Sequence, residues 1–124
     1  MSHVESSKSF FELCETGAGA EAVAHLVAPN ATFACDGLPE ITTLVDYVNW
    51  MKSVATEKLP GCSYKINSVT TNENSAVFYA TFYATAGDKN CVSRYVYIIE
   101  SADGKIVSLV KVWDKGNAFG QLGW

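Results

Sequence analysis

The sequence predicts an α+β protein, helices in its first half and antiparallel strands in its second, on three observations. Apolar residues recur every three to four positions before Pro60 and every second position after Gly61. The strand-like runs CSYKINSVT, SAVFYATFYAT, CVSRYVYIIE and KIVSLVKVWD alternate with the turn segments TNEN, AGDKN and SADG. No linker, repeat or low-complexity stretch breaks the order, so residues 1–124 read as one domain.

The elements follow in order. Val4, Phe10, Phe11, Leu13 and Cys14 outline an amphipathic first helix that ends at TGAGA. Ala22, Val23, Leu26 and Val27 suit a short second helix, which Pro29 terminates. GAGAEA has the outline of a dinucleotide fingerprint, but a helix precedes it where the motif needs a strand, so it is set aside. ATFACDG is a short strand closed by the turn pair Asp36-Gly37. Thr43, with Asp46 three residues on, opens a third helix carrying Leu44, Tyr47, Val48, Met51, Val54 and Ala55 on one face. Pro60-Gly61 stops it, and Asp103-Gly104 marks the last hairpin.

Composition narrows the function classes. A hydrophobic fraction of 48% with 18% charged residues suits an ordered globule. A net charge of −4, with no basic cluster, excludes a broad nucleic-acid footprint. No run reaches the ~18 apolar residues of a membrane span. The opening MSHVESSKSFFELCE has no basic region followed by an apolar core, so the expected location is the cytoplasm, with Cys14, Cys35, Cys62 and Cys91 as reduced thiols. Their spacing fits no metal site, and no metal or cofactor is expected.

The strand faces pose the functional question. Leu109, Lys111 and Trp113 share one face of the last strand, with Val110 and Val112 on the other. A solvent face would waste Trp113, and a packed core would strand an ammonium. A lined pocket accommodates both. In SAVFYATFYAT and CVSRYVYIIE both faces are apolar, which predicts self-association through the face the helices leave uncovered.

PNATFACDG, TLVDYVNWMK, YVYIIESADGKI and the closing KVWDKGNAFGQLGW resemble SnoaL-like polyketide cyclases of the nuclear transport factor 2-like, ketosteroid isomerase-like superfamily. The resemblance implies a cone: three helices closing over the concave face of a curved antiparallel sheet, a ligand pocket between them, and a homodimer through the convex face. Laid on an isomerase-type strand, Tyr79, Thr81, Tyr83, Arg94, Val96, Ile98, Leu109, Lys111 and Trp113 point into the cone. Phe78, Phe82, Tyr95, Tyr97, Ile99, Val110 and Val112 go to the dimer face.

The same resemblance tests the chemistry. The isomerase tyrosine, base and second aspartate fall at Phe10, Cys35 and Val96, none of which matches. The Arg-x-Asp arrangement of limonene-epoxide-hydrolase relatives finds Arg94 but again Val96. Asp36, one residue beyond the base position, is the candidate base, against its simpler reading as a turn residue. Arg94 and Lys111 would clamp an anion, unless Glu12, Glu15 or Asp36 pairs with them. Tyr79 and Tyr83 would add donors, and Trp50 and Trp113 would form flat walls. The expected function is small-molecule binding, with cofactor-independent cyclase or isomerase chemistry on a small apolar or aromatic acid. The alternative is a non-catalytic ligand-binding or dimerisation module.

Overall fold

The computed structural model describes residues 2–124. Helix α1 (His3–Glu15) starts at Ser2, whose hydroxyl accepts from the Glu5 amide at 3.2 Å. Its buried stripe is Ser6, Ser7, Phe10, Phe11, Cys14 and Glu15. Helix α2 (Ala20–Val23) runs into a 3-10 turn, Ala24–Leu26, and the chain is already extended at Val27 in strand β1 (Val27–Cys35). Pro29 therefore lies inside a strand instead of ending a helix. It is tolerated there because β1 is an edge strand, where a missing amide proton need cost no ladder bond.

Helix α3 (Leu44–Ser53) has the expected capping box, Thr43 and Asp46 satisfying each other's backbone amides at 3.2 and 3.3 Å. It widens into a π turn, Val54–Lys58. Strands β2 (Ser63–Thr71), β3 (Ser75–Ala86), β4 (Lys89–Ala102) and β5 (Lys105–Trp113) match the four runs read from sequence. The β4–β5 turn takes φ of 51° at Asp103 and 78° at Gly104, the doubly left-handed conformation that makes Asp-Gly a hairpin signal. The closing segment forms a further helix, α4 (Lys115–Leu122), capped by Asp114 and stopped at Gly123. Gly116 and Gly120 lower its intrinsic propensity and masked it in the sequence.

The sheet order is β1-β5-β4-β3-β2. Strands β2 to β5 form an antiparallel meander, but β1 pairs with β5 in parallel, so the sheet is mixed and not purely antiparallel. The meander leaves one side of β5 open, and β1 enters at the same end as β5, Val27 beside Ile106 and Cys35 beside Lys111. Register shifts between Ile66 and Ser68 and between Glu100 and Ser101 mark irregularities of the kind that bend a sheet. Against one face of the sheet, Phe11 of α1 meets Tyr97 at 4.7 Å and Phe78 at 5.3 Å, while Tyr47 of α3 meets Phe33 at 5.6 Å.

The register decides which face is which, and it corrects two strands. Tyr97 pairs with both Lys111 and Phe78, and Tyr95 pairs with Trp113; cross-strand partners share a face. Phe78, Tyr95, Tyr97 and Ile99 are therefore buried under the helices instead of forming a dimer face, and Phe82 is half-buried against the same core. Arg94, Val96 and Ile98, with Tyr79 and Tyr83, lie on the opposite, outer face. Val110 and Val112 lie outside as expected, and Leu109, Lys111 and Trp113 face inward.

Candidate functional site

Three of the seven residues singled out in the sequence meet at one cavity: Trp50, Lys111 and Trp113 all line it. Tyr79 and Tyr83, 36% and 39% exposed, and Arg94, also exposed, stand on the other side of the sheet. Asp36 is exposed in its turn and offers its backbone carbonyl to Trp113 Nε1 at 2.8 Å, not its carboxylate to the cavity. Gly37 beside it has a φ of +80°, and a β-carbon there would lie 2.6 Å from Lys115 Cδ. The turn is thus built to seat the start of α4.

A carboxylate does reach the cavity, from α1. Glu15 is 5% exposed and Lys111 is 7% exposed, and both line the same space. Glu15 accepts from Tyr97 Oη at 2.7 Å, and Tyr97 in turn accepts from Tyr47 Oη. Tyr95 Oη is buried without a hydrogen-bond partner; it lies near enough to Glu15 to favour its charge, without good bonding geometry. Lys111 Nζ touches the Met51 sulfur at 3.9 Å and lies over the rings of Trp113, Tyr95 and Tyr97 at 4.9, 5.0 and 5.4 Å. A thioether is a weak acceptor, so the ammonium is held mainly by ring faces.

Burial pushes the Glu15 carboxyl above its ordinary value of 4.5, and Lys111, Tyr97 and Tyr95 pull the other way. Burial likewise raises Tyr47, Tyr95, Tyr97, Cys14 and Cys35. A folded carboxyl that holds its proton more tightly than the unfolded one adds stability that is fully present below pH 4.5 and fades as pH rises through the folded value. Glu15→Gln removes this dependence while keeping an acceptor for Tyr97. Wild type should therefore lose melting temperature relative to the variant as pH rises from 4 to 9. A constant gap across a thermal-shift series would mean Glu15 is not the buried titrating group.

The cavity holds about 40 Å³, room for a water or two. Phe119, Leu122 and Trp124 form its outer wall. Outside that wall lies an open basin of about 390 Å³, lined by Leu38, Trp50, Lys58, Phe119 and Trp124. The two spaces share Trp50, Phe119 and Trp124. Among the described residues no cluster of His, Cys, Asp and Glu is placed to hold a metal. Among the same residues no helix is long and apolar enough to cross a membrane.

Sequence reasoning missed Tyr95, Tyr97 and Tyr47 at the site, and named Glu15 only as one possible ion-pair partner of Arg94 and Lys111. For the tyrosines the strand phase was the obstacle. For Glu15 a signal existed: Ser7, Phe11 and Glu15 recur at four-residue spacing and share the buried stripe.

Helices packed on one face of a mixed five-stranded sheet, with one acid and one base lining a small apolar cavity, define a class of α+β proteins. The model of the SnoaL-like domain matches residues 8–109, and the chain belongs to that family. Solved structures of the same fold include wild-type IdmH of Streptomyces antibioticus, a proposed polyketide cyclase, at 14% identity, 100% coverage of both chains and a TM-score of 0.80. A proposed polyketide cyclase of Bacillus cereus ATCC 10987 is 20% identical over 98% of this chain and 80% of its own, with a TM-score of 0.82. TerC, co-crystallised with polyporic acid, is 12% identical over 98% of each chain, with a TM-score of 0.77. The curated proteins offer no sequence match.

Proposed function

We propose that this SnoaL-like protein binds a small apolar or aromatic acid against Lys111 and carries out cofactor-independent isomerase or aldol-cyclase chemistry on it. The observation that carries the reading is Lys111 itself. A buried ammonium beside a thioether and three rings lacks the strong oxygen acceptor that an anionic ligand would supply. Trp50 and Trp113 are the flat walls for such a ligand, which enters from the basin beside Phe119 and Trp124. That a protein of this fold was co-crystallised with an acid agrees with the ligand class.

Glu15, not Asp36, is the carboxyl at the cavity. Protonated when the ligand's own carboxylate sits at Lys111, it can give its proton to a carbonyl oxygen that an enol carbon of the substrate attacks, and take a proton back from the enol hydroxyl. The Lys111 ammonium and the idle Tyr95 hydroxyl would stabilise the negative charge that develops on oxygen in between. Lys111→Met tests the binding part directly. The small volume of the closed cavity favours one rival, a non-catalytic module whose cone stays shut, which predicts no acid binding at all.

The protein acts in this reading as a single cytosolic domain and a homodimer. Val96 and Ile98 of β4, flanked by Val77, Tyr79, Val110 and Val112, form continuous apolar rows on the outer face. Tyr79 and Val112 are 36% and 42% exposed, and a patch of this kind calls for a cover. Ile98→Arg should convert a dimer at micromolar concentration into a monomer, a loss on the order of 2 kcal/mol or more of association energy. Light scattering that finds the wild type monomeric at that concentration removes the dimer.

A further inference from the structure

We propose that an acidic ligand enters this cavity only together with one proton, which Glu15 takes up, so that the ligand anion replaces the Glu15 carboxylate as the counter-charge of Lys111. The proposal rests on the acid-binding reading above and adds to it a fixed proton stoichiometry and an identified acceptor.

Glu15 and Lys111 are the ionisable acid and base in the cavity wall, each more than nine-tenths buried. Every other titratable group turned toward Glu15 is a phenol or a thiol. These are Tyr95 and Tyr97 from β4, Tyr47 from α3, Tyr64 at β2, Cys62 just before it, and Cys14 on α1 itself. Burial raises all six, so at neutral pH they stay protonated and contribute no charge. An ionised Glu15 with Lys111 is a net-neutral pair in a closed apolar space. A ligand carboxylate added to that pair would leave two carboxylates and one ammonium away from water. Like charges sharing a desolvated site do not both remain ionised. One proton resolves the conflict, and Glu15, whose burial makes it hold a proton more tightly than a free carboxyl, is the group that accepts it.

Glu15 can receive that proton without opening the ligand mouth. It borders a second, open groove with Thr16, Ala55, Cys62, Ser63 and Tyr64, separate in its lining from the basin beside α4. Once protonated, the carboxyl still accepts from Tyr97 through one oxygen and gains an O–H donor that can point to the ligand.

The test is calorimetric titration of benzoate into the full chain, from pH 6 to pH 9, in paired buffers of small and large ionisation enthalpy. The expected heats differ between buffers by about one proton per benzoate at the alkaline end, and affinity falls up to tenfold per pH unit there. Benzamide should show no buffer dependence, and Glu15→Gln should bind benzoate with buffer-independent heats. If benzoate binds, and Lys111→Met weakens it, while wild-type heats stay buffer-independent throughout, the proton linkage is wrong and the acid-binding reading survives. A linkage that persists in Glu15→Gln overturns the assignment to Glu15. Benzoate that does not bind, or binds Lys111→Met equally, overturns the acid-binding reading and this proposal with it.

Discussion

A chain ending at Ala118 should melt roughly 10–20 °C below the full-length protein, the conversion of a loss of about 3–5 kcal/mol in a domain of this size. The loss has identifiable parts. Leu122 is buried, and burying one such side chain is worth about 1.5–3 kcal/mol. Phe119 packs edge-on between Trp113 at 5.9 Å and Trp124 at 5.1 Å, and all three would be stripped or exposed together. Gln121 contributes a further device. Its amide accepts from Val92 N at 2.9 Å and donates to Val92 O at 3.2 Å. The β4–β5 pairing reaches Tyr95 opposite Trp113 at the end of β5, so this side chain completes the ladder beyond β5. Removing it leaves both backbone groups of Val92 to solvent, worth on the order of 1 kcal/mol each. The same truncation removes the outer wall of the cavity, so Trp113 fluorescence should shift to the red. A melt unchanged by the truncation would mean that α4 does not dock in solution.

The strand boundaries were legible because alternation and turn chemistry agree over long stretches, and the third helix because Thr43 and Asp46 announce it. The phase of β3 and β4 was not, for a reason visible in the register. The Asp103-Gly104 turn pairs Ala102 with Lys105 and Ser101 with Ile106. Continued without interruption, that ladder would set Val96 against Lys111 and Arg94 against Trp113, the arrangement expected from the sequence. The shift after Ser101 skips Val107, so Glu100 meets Ser108 and Tyr97 meets Lys111. One extra residue on β5 moves every side chain of β4, and of β3 paired with it, to the opposite face. Both faces of these strands are apolar, so composition carried no warning. Asp36 illustrates the converse. Its turn role was written in the Asp-Gly pair, and the structure shows that role while leaving the carboxylate in solvent.

Lys111→Met should weaken binding of a small aromatic acid by about 1.5–3 kcal/mol, roughly tenfold to a hundredfold or more in Kd, while a neutral amide of the same shape loses much less. The difference between the two ligands isolates the charged bond from the loss of packing. Methionine suits the position, since the end of the side chain already lies beside the Met51 sulfur and over the rings of Tyr95, Tyr97 and Trp113. The variant should fold with similar stability. Removing one partner of a buried pair is usually costly because the other charge is left unpaired. Here the partner is Glu15, and Lys111 is one of the influences that keep its carboxyl from rising further. With the ammonium gone, Glu15 takes a proton instead of remaining a bare charge, and it keeps the Tyr97 hydrogen bond. The cost of an unpaired carboxylate is thereby exchanged for a tighter-held proton. Equal acid affinities for wild type and Lys111→Met, measured by calorimetry at one pH on folded protein, would place the ligand away from Lys111 and end the acid-binding reading.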